Sequence, residues 1–209
     1  MDPGVDERRD LAVRIDRNIE RVDRMIRDLL DANRIRAGER LPLQLGSCDV
    51  VAIAEQVAEE ARAMHGDRFR VDAEGQVTGL WSQEDLHRAL WNLLTNAVKY
   101  GAPEAPITIT VRRHEDLVRV SVHNTGTPIP RSEQHSIFEA YSRAPTADAS
   151  ARVGWGLGLT LVRGAAEAHG GHVSVTSDAE SGTTFTIELP LDARSARARI
   201  DESASTTVH

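Results

Sequence analysis

The N-terminal part of the chain carries apolar residues at a helical period. Between Asp6 and Ala37 there is no Gly or Pro, and apolar positions are separated by steps of three or four residues. These positions are Leu11, Ile15, Ile19, Val22, Ile26 and Leu29. A stripe with a mean period near ~3.5 residues is typical of a helix that packs against a partner in a coiled coil or four-helix bundle. The alternative is a helix that packs on its own domain.

The middle of the chain alternates between strand-like and helical patterns. Gly38 follows the first helix, and Asp49 and Ser82 stand where side chains cap the start of a helix. The pattern predicts a strand over Leu41–Leu45, a helix over Val50–Met64, strands over Arg68–Gly75 and Gln76–Trp81, and a helix over Gln83–Tyr100.

Two clean alternations and a long irregular segment follow. Pro106–Arg113 and Leu117–His123 alternate well enough to be adjacent strands joined by a polar turn. Residues 125–154 lack periodicity, and so long a loop in a compact domain is usually a functional lid or a disordered segment. The small polar residues from Ala193 onward predict a disordered tail. The remaining predicted elements are a helix over Leu157–His169 and strands over Gly170–Asp178 and Thr183–Pro190.

Composition narrows the classes of function. Only 4% of the residues are aromatic, so Leu, Ile, Val and Ala must build the core, which favours sheet-against-helix packing. The formal charge of -7, with dispersed Lys and Arg, argues against nucleic acid as a partner. Cys48 is the single cysteine, which excludes an internal disulfide and agrees with a cytoplasmic location. Because no apolar run reaches ~20 residues, we expect no membrane segment in this chain, while the parent protein can be membrane-bound.

One predicted helix carries polar residues that suit a cation and a phosphate. Asn92, Asn96 and Lys99 follow one another at steps of four and three, so they share one face of the Gln83–Tyr100 helix. An amide oxygen is a suitable ligand for Mg²⁺, and an ammonium group meets a phosphate as a point charge. Two asparagines on a helix can equally be ordinary surface residues.

Two glycine-containing segments could meet a nucleotide. Asn124 and Gly126 stand where a strand passes into the long loop, where a polar side chain and an open backbone can meet a base. Taken alone, this sequence is more often a turn. Gly154, Gly156 and Gly158 lead into a helix, whose free N–H groups and partial charge favour phosphate. No Gly-Lys-Ser/Thr follows and no strand runs directly into the glycines, which excludes a P-loop and a Rossmann start.

The order of these motifs resembles the catalytic domain of sensor histidine kinases. This domain belongs to the superfamily shared with gyrase, heat-shock-90 chaperones and mismatch-repair ATPases. NLLTNAVKY resembles its N box, NTGTPIP its first G box, IFEAYSR its F box, GWGLGL its second G box, and SGTTF its closing glycine motif. The resemblance covers about Leu43 to Leu191, and the VHN-x-G-x-PIP wording is similar to kinases attached to bacterial phytochromes.

The resemblance implies an α+β fold and a site for ATP and Mg²⁺. The fold would be a two-layer α/β sandwich of the Bergerat type, with a mixed sheet and helices on one face, preceded by a long N-terminal helix. Asn96 would be the Mg²⁺ ligand, with Asn92 assisting and Lys99 near the phosphates. The nucleotide would also be bordered by Tyr100, Asn124, Gly126, Ile129, Phe138 as lid anchor, Gly154, Gly156, Gly158 and Thr184, with Leu157 and Leu159 packing in the phosphate turn.

Two positions differ from the patterns of related families. The kinases usually have Asp where this chain has Asn124, and a neutral amide accepts the adenine amino group less strongly than a carboxylate. Gyrase-like members have a Glu base where this chain has Asn92, which cannot activate water. We therefore expect adenine binding to be retained but weaker, and hydrolysis to be inefficient. Phosphoryl transfer needs mainly alignment and charge neutralisation, which such a pocket supplies.

Residues 1–40 resemble the second helix of a histidine-kinase dimerisation hairpin, and residues 41–192 resemble the ATP-binding domain. We expect residues 193–209 to form a disordered tail. None of the eight histidines stands in a phospho-acceptor motif. We expect a kinase that passes the ATP γ-phosphate to a His on a dimerisation helix and onward to a response regulator receiver domain. The full-length protein would be a homodimer, and this chain would lack its acceptor.

Two other functions remain open at this point. The first is a catalytically silent nucleotide-binding or partner-binding module of the same fold. The second is a serine kinase of the anti-sigma-factor type, which the N-terminal helix disfavours.

Overall fold

The computed structural model describes residues 5–139 and 156–195. The four helices are α1 (Val5–Arg36), α2 (Val50–His65), α3 (Gln83–Tyr100) and α4 (Gly158–Ala168). The strands are β1 (Gly46–Asp49), β2 (Phe69–Ala73), β3 (Thr78–Trp81), β4 (Ile107–His114), β5 (Leu117–Asn124), β6 (His172–Asp178) and β7 (Gly182–Pro190). In the described part of the chain, no helix is long and apolar enough to cross a membrane.

The main sheet is mixed and has five strands in the order β2-β4-β5-β7-β6. β2 runs parallel to β4, whereas the other neighbouring strands are antiparallel. β1 and β3 form a separate antiparallel pair. Alternate side chains of β4, β5 and β7 are buried, as expected for a sheet that is covered on one face. The predicted mixed sheet with helices on one face is therefore confirmed.

The core lies between this sheet and helices α2, α3 and α4. It is built from Leu, Ile, Val and Ala, with a few aromatic side chains such as Trp81 and Phe185. On the opposite face of the sheet, polar side chains pair with one another, as in the Ser121–Thr186 hydrogen bond and the Arg119–Glu188 ion pair. The composition thus predicted the nature of the core correctly.

Both predicted helix caps are present. The Asp49 carboxylate accepts hydrogen bonds from the backbone N–H groups of Val51 and Val77, which joins the start of α2 to the approach to β3. The Ser82 hydroxyl accepts from the backbone N–H of Asp85 and donates to its carboxylate. Burial raises the pKa of that Asp85 carboxyl above its usual range. The bounds predicted for α3 are confirmed at both ends.

Two predictions about local structure were wrong. Leu41–Leu45 is not a strand: Leu41 is instead buried against α1 and α4, and the strand begins at Gly46. Its partner β3 supplies the ladder that the isolated apolar pattern did not reveal. The tail does not become irregular at Ala193, because this side chain is fully buried in the main core and a helical turn extends to Ser195. The rest of the predicted tail lies outside the described residues.

Among the residues described, helix α1 packs on its own domain only at its C-terminal end. Its last turns bury Ala32 and Ile35 in a second apolar cluster with Leu41 and α4. The apolar stripe further towards its N-terminus is exposed: Leu11, Ile15, Ile19, Val22, Met25, Ile26, Leu29 and Leu30. The helix is therefore anchored at its C-terminal end, and the stripe that predicted a partner helix is left uncovered by the described residues.

A buried histidine joins the end of α4 to the start of α3. His169 Nε2 accepts a hydrogen bond of 2.9 Å from the backbone N–H of Ser82. Ser82 stands at the start of α3, where backbone N–H groups have no partner within the helix. Because Nε2 is the acceptor, Nδ1 carries the proton and donates to the Ala165 carbonyl oxygen at 2.7 Å. This arrangement fixes the two helices that flank the candidate site.

Substitution His169→Ala should therefore lower the free energy of unfolding. The buried Ser82 N–H would lose its acceptor, which costs about 1–3 kcal/mol before any loss of packing is counted. Chemical denaturation measured by circular dichroism gives this difference. The matched control is His172→Ala, because His172 is exposed on an edge strand. Equal effects of the two substitutions would show that His169 does not hold the α3 start.

Candidate functional site

The asparagine-bearing face of α3 lies against the start of α4. Asn92, Asn96 and Lys99 are each partly buried, while the opposite face of α3 carries buried leucines. A Cβ atom placed on Gly158 would lie 3.2 Å from Asn92 Oδ1, so glycine allows the two helices to approach closely at this point. The predicted amide stripe and the predicted glycine turn therefore meet in space.

The C-terminal end of α3 is fastened to the end of β5. The Ala102 backbone N–H donates to the Thr125 carbonyl oxygen at 2.7 Å, and Gly101 forms an isolated bridge with Gly126. Gly126 has φ +155°, and a Cβ atom there would lie 2.5 Å from the Tyr100 carbonyl oxygen. Glycine is thus required for this approach, which brings Asn124 beside the last turn of α3.

Asn124 is a nearly buried amide at this junction, with 6% of its surface exposed. Its Nδ2 donates to the Thr125 carbonyl oxygen at 3.1 Å. No described residue donates to its Oδ1, which leaves the oxygen as the acceptor that a ligand can meet. The side chain therefore offers one neutral acceptor where a carboxylate would offer two charged oxygens.

Lys99 brings a cation to the same end of α3. Its Nζ lies 5.0 Å from the centroid of the Tyr100 ring, within the range of a cation–π contact. The Tyr100 ring is 37% exposed, so this pair borders the site instead of joining the core. A flexible ammonium held against a ring can turn towards an anion when one binds.

The first part of the long loop is pinned to β6. The Ile129 backbone N–H donates to Ser177 Oγ at 2.8 Å, and Gln134 Nε2 donates at 2.9 Å to the carbonyl oxygens of Ile129 and Ser177. Phe138 is buried, and its ring lies edge-on to that of Phe185 at 6.1 Å. The sequence pointed to Ile129 and Phe138, but it gave no sign of Ser177 or Gln134.

Thr184 does not lie on the same face of the sheet as Asn124. Strand alternation puts Thr184 with His123 on the polar face, where His123 Nδ1 lies 3.0 Å from Thr184 Oγ1. The register pairs Asn124 with Thr183, which is buried. Thr183 Oγ1 lies 2.7 Å from Ser177 Oγ. We therefore replace Thr184 by Thr183 in the candidate site.

The glycine turn before α4 is described from Gly156 onward, and Gly154 lies outside the described residues. Gly156 has φ +70°, a conformation that favours glycine. Leu157 is buried in the second apolar cluster, and Leu159 packs against the main core. These two leucines therefore anchor the turn, and the backbone at Gly156 and Gly158 is the part left to meet a ligand.

Comparison with known families identifies the chain. The family described as histidine kinase-, DNA gyrase B- and HSP90-like ATPase matches residues 82–193, more than half of the 209 residues. The chain belongs to this family. The match contains α3, Asn124 and the start of α4, so it includes the whole described part of the candidate site.

Individual relatives are sensor kinases. The sensor-like histidine kinase SenX3 of Mycobacterium tuberculosis is 32% identical over 173 residues, which cover 81% of this chain and 42% of that protein. Sensor protein IrlS of Burkholderia pseudomallei is 33% identical over 189 residues, which cover 90% of this chain and 40% of that protein. The chain thus spans less than half the length of these relatives. The predicted resemblance to an ATP-binding catalytic domain of sensor histidine kinases is confirmed.

Solved structures agree with the fold. The mycobacterial sensor histidine kinase MprB superposes with a TM-score of 0.62 at 25% identity, covering 70% of this chain and 97% of that one. Full-length ShkA in complex with AMPPNP superposes with a TM-score of 0.69 at 25% identity, covering 91% of this chain and 40% of that one.

The two neighbouring threonines allow a direct test of the revised site. Thr183→Val should weaken binding of an ATP analogue by about three- to tenfold, the equivalent of one lost hydrogen bond at a buried position. Thr184→Val is the matched control and should leave the affinity unchanged, because its side chain lies on the other face of the sheet. Isothermal titration calorimetry measures both. A larger loss from Thr184→Val would restore the original assignment.

Proposed function

We propose that this chain binds Mg-ATP and supplies the γ-phosphate for transfer to a histidine. The observation that carries the proposal is the meeting of the α3 amide face with the glycine start of α4, beside the nearly buried Asn124. Together these residues would offer an acceptor for the base, a cation and backbone N–H groups for the phosphates. These residues are far apart in the sequence, but all of them lie within the family match.

At the base end, Asn124 Oδ1 would accept the amino group of adenine. Nδ2 already donates to the Thr125 carbonyl oxygen, so the orientation of the amide is set before a ligand arrives. Gly126 keeps the backbone open here, and Tyr100, Ile129 and Thr183 would border the nucleoside. The neutral amide supports the earlier expectation of weaker binding than a carboxylate provides.

At the phosphate end, Gly156 and Gly158 would present backbone N–H groups at the start of α4, and Lys99 would turn from the Tyr100 ring to supply the cation. Asn96 would be the protein ligand of Mg²⁺ and Asn92 would assist. These residues fit the ion, because Mg²⁺ keeps several waters and takes few protein oxygens when phosphates are also bound. When bound, the ion neutralises phosphate charge.

The polar face of α3 favours transfer over hydrolysis. Asn92 occupies the position at which a carboxylate would have to take a proton from water, and an amide has no basicity for that step. Its close contact with Gly158 instead makes it part of the wall of the phosphate end. Alignment and charge neutralisation remain available, and they are the main requirements of phosphoryl transfer.

The acceptor and the partners are also part of the proposal. We infer that residues 1–40 form the second helix of a dimerisation hairpin, that residues 41–192 form the catalytic domain, and that the full-length protein is a homodimer. The exposed stripe on α1 supports a partner helix that bears the acceptor His. The phosphate would then pass to a response regulator receiver domain. A silent nucleotide-binding module is the second candidate, which the neutral Asn124 supports.

Magnesium dependence tests the phosphate end. Titration of the chain with AMPPNP should show binding that tightens when Mg²⁺ is added, and Asn96→Ala should remove most of this gain because the protein oxygen ligand is lost. Asn96→Asp is the matched control and should keep the gain, since it retains an oxygen at the same position. An unchanged magnesium effect in Asn96→Ala would remove Asn96 from the metal site.

Transfer to a separate acceptor tests the kinase. The chain incubated alone with γ-labelled ATP should acquire no acid-labile phosphate, because none of its histidines stands in an acceptor motif. A His-bearing dimerisation domain from a relative, added in trans, should become labelled. Intact-protein mass spectrometry and acid lability identify phosphohistidine. Tight AMPPNP binding together with no transfer to any such domain would favour the silent module.

A further inference from the structure

The last turns of α1 fit into a glycine position of α4. Ile35 is buried, and a Cβ atom on Gly164 would lie 2.2 Å from Ile35 Cδ1 and 2.7 Å from Ile35 Cγ1. Leu41 Cδ1 closes the same space at 3.5 Å. A larger residue at position 164 would force the Ile35 side chain to move, so α1 and α4 are matched in shape at this contact.

Charged side chains hold the same part of α1 on α3. Arg88 Nη2 lies 2.8 Å from Asp28 Oδ1, and Arg88 Nη1 lies 2.7 Å from Asp31 Oδ2. All three side chains are largely shielded from solvent. Arg88 is one helical turn before Asn92, on the same face of α3, so the ion pairs lie next to the polar face of the site.

The phosphate turn is anchored in the same contact. Leu157 stands between Gly156 and Gly158, and it is buried in the cluster that contains Ala32, Ile35 and Leu41. The two neighbouring glycines have no side chain that could hold the turn in place. The conformation of the turn therefore depends on the cluster that α1 helps to build.

We propose that the segment Asp28–Arg36 of α1 is a positioning element for the phosphate end of the nucleotide site, acting through Leu157. The proposal rests on the proposed Mg-ATP function. Docking of the segment holds the glycine turn in the conformation that presents its N–H groups. Because coupling between two sites is reciprocal, bound phosphates should in turn strengthen the docking of α1.

The test compares a ligand with phosphates to one without them. Calorimetric or NMR titrations of the full chain with Mg-AMPPNP and with adenosine separate the two ends of the site. Ile35→Ala should weaken Mg-AMPPNP by at least ~5-fold, the low end for coupled sites, and change adenosine affinity by less than about twofold. Arg88→Met should act in the same direction, since it keeps the aliphatic stem and removes both ion pairs.

Two further variants separate the effect of the α1–α4 contact from misfolding and from general changes in α1. Gly164→Val displaces Ile35 without removing an apolar side chain from the core, and it should reproduce the selective loss even if Ile35→Ala folds poorly. Ile26→Ala removes an exposed residue of the same helix outside the Asp28–Arg36 segment and should leave both affinities unchanged. Thermal unfolding followed by circular dichroism shows whether each variant is folded.

The possible results are distinct. A selective loss of Mg-AMPPNP affinity in Arg88→Met and Gly164→Val supports the proposal. Equal weakening of both ligands, or no change in folded variants, overturns it and makes the α1 contact purely structural. If the unaltered chain binds neither ligand, the proposed nucleotide function itself fails, and this inference fails with it.

Discussion

The position of α3 on the sheet, between α2 and α4, is the constraint on which the site depends. Its leucines are buried in the core. The opposite face, with Asn92, Asn96 and Lys99, therefore lies at the edge of that core. Both ends of the helix are fixed, by the His169 contact at its start and by the Gly101–Gly126 bridge at its end. A polar face held in this way loses little freedom on binding, which is what preorganisation requires.

The sequence predicted most accurately the elements whose local signals and tertiary contacts agree. The cap at Ser82 and the apolar face of α3 indicated the same helix, and both its ends were right. β1 shows the opposite case, because Gly46–Asp49 has no apolar alternation and is a strand only through its pairing with β3. The strand prediction for Leu41–Leu45 rested on Leu41 and Leu43. These two leucines instead pack in the apolar cluster between α1 and α4.

Thr184 lies on the polar face of β7, and the sequence carried a signal for this placement. Phe185, Ile187 and Leu189 mark the buried face of β7, and counting back by two from Phe185 gives Thr183. The roles of Ser177 and Gln134 had no comparable signal. Their contacts join residues more than forty positions apart through hydrogen bonds that polar sequence patterns do not encode.

The proposed site has a neutral amide at each end, and this affects how strongly a nucleotide would bind. In the proposed site, Asn124 would offer one uncharged acceptor to the base and Asn96 one uncharged oxygen to the metal, so neither asparagine adds a fixed charge to that of Lys99. Affinity then depends more on the geometry of the backbone N–H groups at Gly156 and Gly158. Leu157, which lies between these two glycines, is buried in a cluster shared with α1. A site built from weak, well-placed contacts is therefore more sensitive to the position of an adjoining helix than one that holds its ligand by charge.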